Sequence, residues 1–183
     1  MAKAKRFLIL VSLLLVFSGC TNNGYKSIEE AIQQGGIKYK QIYHQHEVNK
    51  GIITFYENPN GGIDAGIVYK NSDRYRWGFG GGTVSFPNEG DVTWGAVNLD
   101  LNTKNEEEKH YWLYYGIINE AQIIRLHIEH KSPDKHIDKN AEIIELPDGY
   151  RLWFALQDKK SYSQPGFILT GYDKDGINVF HFE

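Results

Sequence analysis

From Ile37 onward the apolar pattern of this chain is mostly alternating, and turn signals recur about every ten residues. Period-two alternation belongs to strands, whose successive side chains point to opposite faces, so the pattern restricts the chain to a mainly β fold. The fold class expected is an antiparallel β-sandwich or open barrel carrying one short N-terminal helix. That helix is read over Ile28 to Gln34. Ser27 caps it, Glu30 completes a capping box, Ile28, Ala31 and Ile32 give it an apolar face for a sheet, and Gly35-Gly36 supplies a left-handed stop. Two turns bury too little surface to serve alone as a partner-binding helix.

The strands follow in order. Ile52 to Tyr56 and Ile63 to Tyr69 flank Asn58-Pro59-Asn60-Gly61-Gly62 and read as the first hairpin. In 74–79, Tyr75, Trp77 and Phe79 share one face, expected in the core, with both arginines on the other. Gly80-Gly81-Gly82 interrupts this strand and Thr83 to Phe86 resumes it. Val92 to Leu99 forms another, and His110 to Ile118, apolar on both faces, reads as central. Beyond a tight turn at Asn119-Glu120, Ile124, Leu126 and Ile128 line one face of the next strand, while Arg125, His127 and Glu129 face water or a groove. His130 to Asn140 reads as a loop, and so does Lys159 to Gly166. Asp148-Gly149 joins Ala141 to Leu146 with Tyr150 to Leu156, in which Tyr150, Leu152, Phe154 and Leu156 point inward and Arg151 and Trp153 outward. Phe167 to Tyr172 pairs with Ile177 to Phe182 across Asp173 to Gly176, and Phe180 and Phe182 pack.

Ahead of this domain stands a different kind of sequence. Lys3, Lys5 and Arg6 precede the apolar run Phe7 to Phe17, which stops at Ser18-Gly19-Cys20. A spanning helix needs roughly 20 apolar residues, and this run is shorter. An ordinary secretory signal gives no reason for a cysteine at the cut, and Cys20 is the one cysteine in 183 residues. These residues resemble the lipobox of bacterial lipoproteins, with Phe17 where leucine is usual. The rest of the chain, with its Trp-Gly steps and a Tyr-Asp-x-Asp-Gly step, is similar to small lipoproteins of Gram-positive bacilli, a group that lends no active site. The resemblance implies cleavage between Gly19 and Cys20, lipidation of the Cys20 sulfur, and an extracytoplasmic protein anchored to the cell membrane by its acyl chains. It divides the chain into a signal peptide over 1–19, a lipidated tether over 20–26 and a single β-rich domain over 27–183.

Loss of Lys3, Lys5 and Arg6 lowers Lys+Arg from 20 to 17 against 23 Asp+Glu, a net charge of about −6. Such a chain lacks the clustered cations that nucleic acid binding rests on, so no nucleic acid partner is expected. It would stand off anionic headgroups. With its cysteine committed to lipid, the domain has no internal disulfide and must hold by packing.

Motifs for chemistry are incomplete. The run from Gly78 to Gly82 lacks the Gly-Lys-Ser/Thr step of a phosphate loop and reads as a bulge or strand corner. His44 and His46 share a strand face beside Glu47, but a zinc site needs three or four ligands. His127, His130, His136 and His181 join them only if the fold brings them close, so no metal is assigned. Asp173-Lys174-Asp175-Gly176 has the middle of a calcium loop without its outer ligands and reads as a hairpin turn. Neither a nucleophile elbow nor any other catalytic pattern occurs, and no catalytic residue or cofactor is assigned. Aromatic residues make up 14% of the chain, enough for both packing and an exposed binding patch. The surface expected to bind comprises Arg125, His127, Glu129, Arg151 and Trp153. The function expected is that of a binding or protein-interaction module on the envelope, its partner an envelope protein or a cell-wall glycan. An envelope enzyme acting on a cell-wall polymer is the alternative.

Overall fold

The structure, a computed structural model, describes residues 24–49, 51–88, 90–101, 109–131, 137–158 and 166–183. The segment expected as a signal peptide, Cys20, the expected tether up to residue 23, residues 102–108, His136 and most of the loop expected over 159–166 lie outside the described residues. Over the described residues the fold is mainly β, with twelve strands in three antiparallel four-stranded sheets and one short helix. No helix among the described residues is long and apolar enough to cross a membrane.

Helix α1 (Ile28–Gln34) starts and stops as its sequence dictates. The Glu30 amide donates to Ser27 Oγ at 3.1 Å, and the Glu30 carboxylate reaches back to the Lys26 amide at 3.0 Å. At its end Gly36 takes a φ of 80°, the Gly36 amide donates to Gln33 O and the Ile37 amide to Ile32 O. This paired closure needs a left-handed residue, which glycine supplies. Ala31 and Ile32 are buried against Val68, Tyr75 and Trp77.

Sheet A runs in the order β1 (Ile42–Val48), β2 (Gly51–Glu57), β3 (Ile63–Asn71), β4 (Arg74–Val84). The hairpin around Asn58 to Gly62 is therefore the second one, since β1 already pairs with β2 across the two residues between Val48 and Gly51. Strand β4 runs unbroken through Gly80 to Gly82, with register shifts against β3 at Gly78 and at Gly82-Thr83, so the glycine run is bulged within one strand. The first bulge sends Phe79 away from the face held by Tyr75 and Trp77. Phe79 is 52% exposed and outside the core it was expected to join. The glycines make room for an indole: Cβ atoms added at Gly66 or Gly80 would lie 2.1 and 2.7 Å from Trp77 ring carbons.

Sheet B has the order β5 (Gly95–Leu101), β6 (Lys109–Ile118), β10 (Arg151–Asp158), β9 (Glu142–Glu145), and sheet C the order β12 (Asn178–Phe182), β11 (Phe167–Tyr172), β7 (Arg125–His130), β8 (Asp138–Asn140). Sheet B lies between the other two. Its Leu113, Tyr115, Ile117, Leu152 and Phe154 pack on Ile53, Phe55, Ile63 and Ile67 of sheet A. From its opposite face Tyr114, Ile118, Trp153 and Ala155 pack on Leu126, Ile128, Phe167 and Leu169 of sheet C. The layers thus read helix, A, B, C, and β6, apolar on both faces, is central as its composition requires.

This layering corrects one expectation directly. Trp153 does point away from Leu152 and Phe154, but that direction leads into the second core, and Trp153 is completely buried. Ile124 departs in the other sense. It precedes β7 instead of extending its apolar row, and it is 58% exposed. Part of the 130–140 stretch is ordered as β8, with Ile137 buried beside it. The hairpins at Asp148-Gly149 and at Asp173 to Gly176 form as read. Asp173 accepts from the amides of Asp175 and Ile177 at 2.9 and 2.8 Å, which employs this carboxylate in its own turn. Phe180 and Phe182 are partly buried on the B/C core.

Candidate functional site

The outer face of sheet C gathers the polar residues that alternation in β7 exposes. Leu126 and Ile128 face the core, so Arg125, His127 and Glu129 face outward. Pairing extends this face onto β8, where His127 stands opposite Asn140 and Glu129 opposite Asp138. On the other flank His127 lies opposite Thr170 of β11, which lies opposite His181 of β12.

Two contacts organise the centre of the face. His127 Nδ1 is 3.2 Å from Asn140 Oδ1, and its Nε2 is 3.1 Å from Asp138 Oδ1. His127 Nε2 or Nδ1 and one carboxylate oxygen each from Glu129 and Asp138 all lie within 4.8 Å of one another, a donor set able to hold a divalent cation. Beside it the Arg125 guanidinium lies over the Tyr172 ring at 3.8 Å. Thr170 Oγ1 and His181 Nδ1 are 3.4 Å apart.

Of the five residues expected to form a binding surface, the fold brings Arg125, His127 and Glu129 together on this face. Trp153 is inside the molecule. Arg151 is half-buried at one end of sheet B, where its guanidinium donates to the carbonyls of Glu120 and Ile123. It lines a cleft of about 610 Å³ with Asn119, Glu120, Glu145 and Gly149. Asp138 and Asn140 escaped the sequence reading because β8 is three residues long and follows a stretch with no period. The signal that marks them is their spacing of two, which matches that of His127 and Glu129.

The other histidines are scattered. His44 and His46 share the inner face of β1, opposite Phe55 and Ile53, with sheet B between them and sheet C. Both rings contact Phe154, and His46 Nδ1 is 3.7 Å from Glu142 Oε2. Burial holds the His44 imidazole below its usual range, His46 adds to this and Glu142 opposes it. His130 is buried, with Nε2 3.0 Å from Tyr114 Oη, and burial pushes the Tyr114 phenol up to about 12. Elsewhere, a hydrogen bond from Lys40 is the main influence holding the Glu57 carboxyl below the usual range.

Two exposed large apolar residues, Ile124 and Ile177, stand near one end of sheet C. The Ile124 amide donates to Tyr172 O at 2.9 Å and the Asp173 amide to Ile177 O at 3.0 Å, which sets Ile124 and Ile177, 58% and 60% exposed, at the end of the sheet that holds the Arg125–Tyr172 stack. Trp94, 39% exposed, stacks on Phe167 and Phe182. Compared with protein-family models, with curated proteins and with solved structures, the chain gives no match.

Proposed function

We propose that the chain is a lipid-anchored cell-envelope protein whose β domain works as a binding module outside the cytoplasmic membrane. In this reading the lipidated Cys20 tethers the domain and the outer face of sheet C meets an envelope protein or cell-wall glycan. One observation carries the binding role: Ile124 and Ile177 stand exposed at the same end of a sheet, next to an arginine stacked on a tyrosine. Apolar anchors with an aromatic and an arginine beside them are the composition of an interface centre.

The test is crosslinking of the full chain in its native envelope. A discrete crosslinked species should form with the wild type and be lost in the Ile124→Glu/Ile177→Glu double variant, with far-UV circular dichroism unchanged. The same species at the same yield in the double variant would remove the proposed face. The anchor has its own control: metabolic fatty-acid labelling should disappear in Cys20→Ala, and labelling that persists would overturn lipidation.

An envelope enzyme acting on a cell-wall polymer is favoured by a single feature, the pair of glutamates lining the 610 Å³ cleft. Glu120 Oε1 accepts from the Gln122 amide at 2.9 Å, and Arg151 is bound to backbone carbonyls, so these groups already hold the surrounding loop together. Hydrolysis of peptidoglycan by the purified chain, abolished in Glu145→Gln, would favour the enzyme over the binding module.

A further inference from the structure

We propose that His127, Glu129 and Asp138 form a binding site for a divalent transition-metal ion of the zinc class on the outer face of sheet C. The site is independent of the anchor and of the apolar end of the sheet, so it stands or falls apart from the function proposed above.

The geometry comes from register. His127 and Glu129 are two apart on β7, and β8 sets Asp138 directly opposite Glu129 and Asn140 directly opposite His127. Hydrogen-bonded strands hold such pairs at fixed spacing, so the donors are positioned by backbone. Donors about 2.0–2.2 Å from a tetrahedral ion are themselves about 3.4 Å apart. His127 Nε2 and Asp138 Oδ1 stand at 3.1 Å, and all three donors lie within 4.8 Å of one another.

The imidazole is also oriented as a ligand. Asn140 Oδ1 can only accept, so the 3.2 Å contact is a hydrogen bond in the tautomer with the proton on His127 Nδ1, and that tautomer turns the Nε2 lone pair toward the Asp138 carboxylate oxygen at 3.1 Å. A carbonyl on the far nitrogen is the usual partner of a metal-bound histidine, where it fixes the tautomer and the ring plane.

Charge points the same way. A neutral imidazole with two carboxylates presents a charge of −2 to a dication. One nitrogen and two oxygen donors favour zinc and its neighbours over calcium or magnesium, which take oxygen alone. The Asp138 side chain is 47% exposed, so the site can be reached from solvent.

The experiment uses the full chain in detergent, stripped with a chelator and titrated with ZnCl₂ by calorimetry, with CoCl₂ absorption as a second readout. Wild type should take up one saturable equivalent and develop the visible bands of four-coordinate cobalt, while CaCl₂ at the same concentration gives no saturable heat. His127→Ala and the isosteric Asp138→Asn should each lose the equivalent. Asn140→Ala should weaken it by about 10–100-fold with stoichiometry kept, since Asn140 positions the ring without touching the ion. His46→Ala and His181→Ala should leave it unchanged. The isosteric Asp138→Asn and Glu129→Gln preserve the test if His127→Ala does not fold. Absence of a saturable equivalent in the wild type, undiminished affinity in Asp138→Asn, or equal loss in His46→Ala would overturn the site, leaving His127 as a structural contact between Asn140 and Asp138.

Discussion

Trp153 sits where a strand with two buried faces leaves nothing to solvent. Its neighbours Leu152 and Phe154 fill the core between sheets A and B, while its own ring fills the core between B and C. The indole Nε1 donates to Thr93 O at 3.0 Å, so the polar edge of the ring is satisfied inside the molecule. Trp153→Ala should cost about 3–5 kcal/mol of unfolding free energy by the usual price of an emptied aromatic site. Trp153→Phe keeps most of the volume and should cost less, with about 1–3 kcal/mol for the carbonyl left without its donor. Urea unfolding measures both, and a Trp153→Ala cost under about 1 kcal/mol would contradict the burial. The sequence misplaced this residue for a definite reason. Alternation sorts a strand into two faces, and an indole flanked by Arg151 takes the polar label unless a further sheet is known to cover that side. That sheet is built largely from 125–130 and 167–182, and no local pattern announces where those segments pack.

Elements with complete local signals were legible. The capped helix, the Asp-Gly hairpin and the doubly apolar β6 each follow from residues within a few positions. Those whose form depends on a neighbour were not: β8 exists through its pairing with β7, and the bulge at Gly78 that ejects Phe79 reflects the Tyr69 and Trp77 rings packed around the glycines. The candidate site divides the same way, since β7 displayed three of its side chains in its period while Asp138 and Asn140 needed the partner strand. The packing of β1 side chains on sheet B gives a test at this scale. His44 stacks on Phe55 and Phe154, with His46 beside it on β1 and Glu142 facing from β9. Burial and His46 hold its folded-state titration below the ordinary value of 6.5, so the unfolded chain binds the proton more readily. The resulting stability is fully present above 6.5 and declines as pH falls through that value toward the lower folded one. Chemical denaturation between pH 8 and pH 5 should therefore show stability falling with acid, and His44→Gln should flatten the part of the slope that belongs to this ring. An unchanged slope in His44→Gln would place the acid sensitivity elsewhere.

At the scale of the whole molecule, the decisive property is that sheet B has no solvent face of its own. Its inner residues are shared between two cores, so neither sheet A nor sheet C can leave without exposing half of sheet B. Tyr115 ties the layers further, donating from β6 to Gly81 O on β4 at 3.1 Å, and burial pushes its phenol far above the ordinary range. A chain of this length with one cysteine has no disulfide to enforce unity, so cooperativity must come from this shared layer. Trp77, packed between α1 and sheet A, and Trp153, packed between B and C, report on opposite ends of the stack. In variants that retain only one of these two indoles, with Trp94 and Trp112 replaced by phenylalanine in both, the fluorescence transition in urea should coincide with the far-UV circular dichroism transition of the same variant. A fluorescence midpoint that departs from the circular dichroism midpoint of its own variant would mean that the helix with sheet A unfolds apart from sheet C, and the single domain expected over 27–183 would have to be divided at sheet B.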